Sequence, residues 1–287
     1  MELTPSDLTV LADLAIAAAT DAGQMITHAR PGEVEYKETG SSPSSQVVTE
    51  IDRRAEAMVI AHLEPSLARF ELGLLTEERA DDGSRLQADH FWCIDPLDGT
   101  LPFIEGEPGS AVSIALVRRD GVPLVGVIYD LSGEMVVHAV SGSGVFIGGQ
   151  SWAAPESTGR LAVFADRSFL RNEPDRLVAA LEQVAGECGL DGADIHTGAG
   201  GVMNAIGALQ ARPGCYLKLP GPGGSSAWDL AATACVFAEA GAVATDGYGQ
   251  PLELNRRDST FVSHRGVLFA TDERLAAELR TLVAGFS

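Results

Sequence analysis

Six consecutive residues, Asp95-Pro96-Leu97-Asp98-Gly99-Thr100, combine two carboxylates, a proline and a glycine directly after the apolar run Phe91-Trp92-Cys93-Ile94. A buried strand that delivers its last residue as Asp puts a charge where the chain leaves the core. Several unpaired carboxylates buried together cost too much to persist without a cation among them. Pro96 fixes its own φ and Gly99 permits a tight turn, so both acids are expected to converge. Hard oxygen donors around a small site suit Mg²⁺. Gly99 and Thr100 also lie just ahead of Pro102, a residue favoured in the first helical turn, so their amides are placed to meet a phosphate. Taken alone, the pattern reads equally well as a turn flanked by solvated aspartates. A covalent aspartyl-phosphate route needs an acid two residues before Asp98, and that position is Pro96. The expected attacking group is therefore a metal-bound water.

Three further acids occupy comparable positions. Glu77-Glu78 closes the apolar run Leu72-Gly73-Leu74-Leu75-Thr76, Asp52 opens an apolar-faced helix, and Asp229 follows Ser225-Ser226-Ala227-Trp228 at the head of another. Singly, Asp52 and Asp229 also read as acids that complement a helix dipole.

The elements that must position these residues follow from periodicity. Residues 6–29 read as an amphipathic helix with Ser6 or Asp7 as its cap, and residues 33–45 as a polar loop containing the Ser-rich stretch 40–45. A second helix is expected from Val47 until Pro65 stops it. Buried strands are expected at 72–76 and 91–94, then an antiparallel meander at 111–117, 123–129, 134–140 and 145–147. A polar seam at 151–160 separates an N-terminal α+β half, 1–155, from a C-terminal α/β half, 156–287. In the second half strands are expected at 161–164, 215–218 and from 267, and helices at 173–188, 202–210 and 228–240, with a last helix at the C-terminal end. Such alternation implies mixed α and β layers packed face to face.

Composition narrows the function. A chain of 287 residues with 45% apolar and 21% charged residues can bury a sizeable core. Its net charge of −20 repels nucleic-acid polymers and anionic membranes, and makes cations necessary for any anionic substrate. Cys93, Cys188, Cys215 and Cys235 are scattered and read as reduced thiols, mostly in core runs. No leader pattern and no apolar run near the ~18 residues of a membrane span are seen, so a cytoplasmic protein is expected.

With these residues assembled, the chain resembles the inositol monophosphatase superfamily of Mg²⁺-dependent, Li⁺-sensitive phosphatases, in order, from about residue 6 to the C-terminal end. The motif elements are Asp52, Glu77-Glu78, Asp95 to Thr100, Trp228-Asp229 and Gly241-Ala242, the last with Ala242 where the family carries a second glycine. The resemblance implies a layered αβαβα sandwich of the inositol monophosphatase and fructose bisphosphatase type. It implies two or three Mg²⁺ per site: one held by Glu77, Asp95 and the Leu97 carbonyl, one by Asp95, Asp98 and Asp229, and a weaker third assisted by Glu78. Asp52 and Thr100 would orient and deprotonate the water, with Glu77 counted beside them as catalytic. Gly99, Thr100, Asp98, Asp229, Gly200 and Gly201 would face a small phosphorylated substrate. Lys37 resembles the family's loop lysine, and members are commonly homodimers.

The substrate is less defined. Asp98-Gly99-Thr100-Leu101-Pro102-Phe103-Ile104 is closer to the Asp-Gly-Thr-Lys-Glu-Phe-Ile of bisphosphate nucleotidases than to the inositol phosphatase motif, although Leu101-Pro102 replaces Lys-Glu. Hydrolysis of 3′-phosphoadenosine 5′-phosphate to AMP is therefore one expectation. Inositol monophosphate, or another sugar, polyol or nucleoside phosphate, is the alternative. Gly198-Ala199-Gly200-Gly201 and the stretch 212–226 both depart from the inositol phosphatases. A non-catalytic descendant would have lost metal ligands, and this chain keeps all of them.

Overall fold

The structure is a computed structural model that describes residues 2–29, 34–36, 47–221 and 224–286. The Ser-rich stretch 40–45 and Lys37 lie outside the described residues. Helix α1, Pro5–His28, starts at Thr4, whose hydroxyl accepts from the Asp7 amide while the Asp7 side chain accepts in return. That is a capping box, and it starts two residues before Ser6, the nearer of the two expected caps.

Strand β1, Val34–Tyr36, pairs antiparallel with β2, Val47–Thr49, and α2 runs Glu50–Phe70. Residues 34–36 are thus strand rather than loop, and the second helix starts three residues later than expected. The β-branched Val47-Val48-Thr49 suits a strand. Pro65 does not end α2. The turn beyond it is anchored: Ser66 donates to the Leu63 carbonyl at 2.5 Å, Trp92 Nε1 donates to Ser66 Oγ at 2.9 Å, and Phe70 is buried. Tertiary packing outweighs the hydrogen bond that the proline forfeits.

Strands β3, Gly73–Thr76, and β4, His90–Asp98, are parallel neighbours. The meander follows as β5, Ala111–Arg118, β6, Pro123–Asp130, β7, Met135–Val140, β8, Gly144–Ile147, and the two-residue β9, Gln150–Ser151, completing a seven-stranded sheet in chain order. The second sheet contains β10, Leu161–Ala165, β11, Ala193–Thr197, β12, Gly214–Lys218, β13, Val243–Thr245, and β14, Val267–Ala270, in the order β11-β10-β12-β14-β13. The remaining helices are α3, Thr100–Glu105, α4, Pro174–Glu187, α5, Gly201–Gln210, α6, Ala227–Glu239, and α7, Glu273–Gly285.

Three apolar clusters define five layers. Residues of α1 and α2 pack on the face of the large sheet carrying Trp92, Ile94, Val112 and Ile114. The opposite face, with Phe91, Cys93 and Ala115, packs on α5 and α6, which also meet Tyr216, Val267 and Phe269 of the second sheet. The outer face of that sheet packs on α4 and α7 through Leu177, Leu181, Leu275 and Leu279. The expected αβαβα sandwich is the observed one.

Helix α6 sits tightly on the large sheet at Gly126. A Cβ there would lie 2.3 Å from the Ala232 carbonyl oxygen and 3.0 Å from Cys235 Cβ. Gly126→Ala is expected to lower the urea-unfolding free energy by about 1–3 kcal/mol, the usual cost of forcing a methyl into a packed core. An unchanged midpoint would mean that the helix shifts without cost.

Candidate functional site

Strand β4 does not stop at Asp95 but continues to Asp98. Asp95 pairs with Ser113, and Asp98 with Ala111, so three steps on β4 oppose two on β5. This is a β-bulge at Pro96-Leu97, where the proline has no N–H to give to a ladder. Its consequence is a reversal of phase. In an unbroken strand Asp95 and Asp98, three apart, would point to opposite faces. Phe91 and Cys93 belong to the core shared with α5 and α6, yet Leu97, in step with them, packs in the opposite core. The extra residue therefore returns Asp98 to the side of Asp95. The expected convergence is real, but the bulge produces it, and the chain turns at Gly99.

Gly99 has φ +78°, and a Cβ on it would lie 2.7 Å from the Gly109 carbonyl. Only glycine fits this left-handed turn without strain. The Ser110 hydroxyl donates to the Gly99 carbonyl at 2.7 Å and the Gly200 amide donates to the Gly109 carbonyl at 2.8 Å, which ties the turn to the start of α5.

Carboxylate oxygens of Asp95, Asp98 and Asp229 all lie within 4.8 Å of one another. Asp98 accepts the Gly201 and Val202 amides at 3.2 and 3.0 Å, so the N-terminus of α5 grips it. Asp229 is the third residue of α6 and accepts the Ser226 amide at 2.8 Å in a capping box. It is therefore both a helix cap and a member of the carboxylate group. Asp95 Oδ1 accepts the Leu97 amide at 3.0 Å. The Ser113 hydroxyl donates to the Trp228 carbonyl at 3.2 Å, joining β5 to the head of α6.

Electrostatics mark this as a place for a cation. Burial pushes Asp95 well above the ordinary carboxylate range, and the charges of Glu77, Asp98 and Asp229 add to it. Asp98 is raised in the same way, first by burial and then by Asp229. Asp229 is raised to about 6 by burial, against the lowering influence of the Ser226 amide and Lys218. Three acids whose ionisation is disfavoured by burial, and for Asp95 and Asp98 also by neighbouring negative charge, form an all-oxygen donor set that can hold a metal ion.

The other expected residues are placed as follows. Glu77 comes directly after β3, its amide donates to the Ile94 carbonyl at 3.2 Å, and its charge bears on Asp95 and Asp98. It stands outside the group of three, and the half-buried Glu78 follows it. Asp52, buried in the first turn of α2, accepts the Thr100 hydroxyl at 3.3 Å, and that hydroxyl also lies 3.2 Å from the Leu97 carbonyl. The Gly201 amide is engaged by Asp98 and the Gly200 amide by Gly109, so neither glycine offers its N–H to a substrate.

Sequence reasoning missed a polar group beside the carboxylates. Tyr216 Oη donates to Asp166 Oδ1 at 3.1 Å, and Lys218 Nζ reaches Asp166 Oδ2 at 2.6 Å and Ser225 Oγ at 3.3 Å. A Cβ on Gly201 would lie 3.4 Å from Tyr216 Oη and 3.8 Å from Asp229 Cβ, so this group borders the carboxylate site across a bare glycine. Asp166 follows β10 as Glu77 follows β3: an apolar strand ending in an acid, the signal that marked the other sites.

Comparison with known proteins agrees with this geometry. The family model described as the inositol monophosphatase family matches residues 7–284. Inositol monophosphatase 2 of Solanum lycopersicum is 27% identical over 248 residues, covering 85% of this chain and 90% of that protein. The fructose-1,6-bisphosphatase/inositol-1-monophosphatase of Thermotoga maritima is 28% identical over 254 residues, covering 85% and 86%. Among solved structures, an inositol monophosphatase of Thermotoga maritima superposes with a TM-score of 0.73 at 22% identity, covering 96% of this chain and 98% of that one. CysQ of Bacteroides thetaiotaomicron superposes with a TM-score of 0.71 at 23% identity, covering 91% and 97%. No helix among the described residues is long and apolar enough to cross a membrane. The fold, the carboxylate group at its centre and the match along nearly the whole chain together establish that this protein belongs to the inositol monophosphatase family, phosphatases that hydrolyse phosphate monoesters.

Proposed function

We propose that the chain is a Mg²⁺-dependent phosphomonoesterase acting on a small phosphate ester whose leaving group is a polyol or sugar hydroxyl. The observation that carries the metal-dependent reading is the convergence of Asp95, Asp98 and Asp229 within 4.8 Å in a buried, acidic setting. On this reading Glu77, Asp95 and the Leu97 carbonyl hold one ion and Asp95, Asp98 and Asp229 a second, with Glu78 assisting a third. The Leu97 carbonyl keeps a second lone pair beside the one that faces Thr100. When bound, Mg²⁺ supplies charge for the phosphate oxygens and lowers the pKa of water.

The protein's own groups then divide the work. Thr100 Oγ1 takes a proton from the attacking water as it passes its own to Asp52 Oδ1, its neighbour at 3.3 Å. The Gly99 and Thr100 amides, at the head of α3, hold the phosphate. Gly200 and Gly201 serve by what they lack: a side chain at Gly201 would fill the space between Asp229 and Tyr216. Tyr216, Asp166 and Lys218 border that space with donors and an acceptor, the combination that a hydroxyl-bearing leaving group matches. The curated relatives named as inositol monophosphatases support the same class.

The second reading is 3′-phosphoadenosine 5′-phosphate, favoured by the Asp98-Gly99-Thr100 segment with Phe103-Ile104. Steady-state phosphate release with Mg²⁺ from inositol 1-phosphate, the bisphosphate nucleotide and AMP separates the two. The expected order places inositol 1-phosphate first in kcat/KM, with release inhibited by Li⁺. A nucleotide rate above it overturns the polyol assignment, and background rates on every ester overturn the phosphatase reading.

A further inference from the structure

Helix α2 carries two buried acids one turn apart, Asp52 and Glu56, 2% and 4% exposed. Residues four apart share a helix face. Asp52 meets Thr100, whereas Glu56 reaches the other side of the site. One of its carboxylate oxygens accepts the Thr76 hydroxyl, and the other accepts Arg79 Nε at 2.9 Å. Thr76 ends β3, and the two residues between Thr76 and Arg79 are Glu77 and Glu78. One buried carboxylate thus brackets the glutamate pair from both ends, while the Glu77 amide ties the same segment to Ile94, next to Asp95.

A purely structural reason for this arrangement is weak, because an ion pair whose arginine is half exposed contributes little to stability. Its geometry, by contrast, is directional: each oxygen has its own partner, one on each side of Glu77-Glu78. We propose that Glu56 is a positioning residue for the Glu77-Glu78 segment. Because it shares α2 with Asp52, it also fixes that segment relative to the Asp52–Thr100 pair. This inference rests on the reading that Glu77 and Glu78 serve a metal ion. Residues that hold ligands in place typically alter metal affinity by about 10- to 100-fold when removed.

The test is calorimetric titration of the metal-free full-length protein with Mg²⁺ and with Mn²⁺, alongside melting in EDTA. Glu56→Ala is expected to weaken metal binding roughly tenfold. Glu56→Gln, which keeps one acceptor oxygen, should fall between Glu56→Ala and the parent. Arg79→Ala removes a half-exposed side chain that leaves the core intact, and should weaken binding severalfold with the metal-free melting temperature unchanged. It carries the test alone if Glu56→Ala does not fold. Parental affinity in Glu56→Gln and Arg79→Ala overturns the inference, as does a fall in melting temperature with no change in affinity. A parent protein that takes up neither ion overturns the metal reading itself, a result distinguishable from the first two.

Discussion

Asp95→Asn is expected to reduce phosphate release by on the order of 10³-fold or more, while the metal-free variant melts no lower than the parent. On the proposed reading Asp95 serves two ions, and bound metal contributes several kcal/mol of transition-state charge stabilisation, each ~1.36 kcal/mol being a factor of ten in rate. The fold has little reason to suffer. The asparagine carbonyl still accepts the Leu97 amide that Asp95 accepts at 3.0 Å. Its amide can donate to a neighbouring carboxylate where a like charge stood before, since Glu77, Asp98 and Asp229 all raise the Asp95 pKa. A phosphate-release assay paired with melting curves in EDTA and in Mg²⁺ checks both halves. Release within tenfold of the parent would show that Asp95 is not a shared ligand, and a collapsed melting curve would show that its charge is structural.

The second large effect is a pH-dependent stabilisation by Mg²⁺. Asp229, raised from 3.8 to about 6, binds its proton more tightly in the folded protein than in the unfolded chain. Its stabilising contribution is therefore complete below pH 3.8 and is lost as pH rises through about 6. A gap of roughly two units corresponds to about 3 kcal/mol, and the raised Asp95 and Asp98 act in the same direction. A cation among the carboxylates removes the penalty. In EDTA the protein should thus be less stable at pH 7.5 than at pH 5, and Mg²⁺ should raise the melting temperature by about 6 °C at pH 7.5 and far less at pH 5, where protons compete for the same oxygens. Differential scanning calorimetry measures this, and an equal Mg²⁺ increment at both values would contradict it.

What the sequence made legible follows from locality. Asp95 to Thr100, Glu77 after an apolar strand and Asp229 at a helix head are contiguous strings, and each marks its site through the chemistry of a few neighbouring residues. Mixed α and β layers were readable because the meander and the later helices keep clean periods, whereas the αβαβα order came from the family resemblance. The bulge that turns Asp98 toward Asp95 was not legible, because a reversal of phase depends on the register against β5. The run of α2 past Pro65 depends on Trp92 finding Ser66, a contact 26 residues apart. Strands β11 and β13 are edge strands without a continuous buried run, so they lack the signal that revealed β3 and β4. The group of Tyr216, Asp166 and Lys218 spans β12 and the end of β10: Asp166 after an apolar strand is a local signal, but its meeting with Tyr216 and Lys218, 50 and 52 residues on, is not. Lys218 is one of only two lysines in the chain, and that rarity was a second hint.

The central claim is that hydrolysis depends on a metal ion held by Asp95, Asp98 and Asp229. It is tested most directly by following phosphate release from inositol 1-phosphate as chelator-treated protein is titrated with Mg²⁺. The account predicts release at background in EDTA and a saturable rise as Mg²⁺ is restored; an equal rate with and without divalent metal would contradict it.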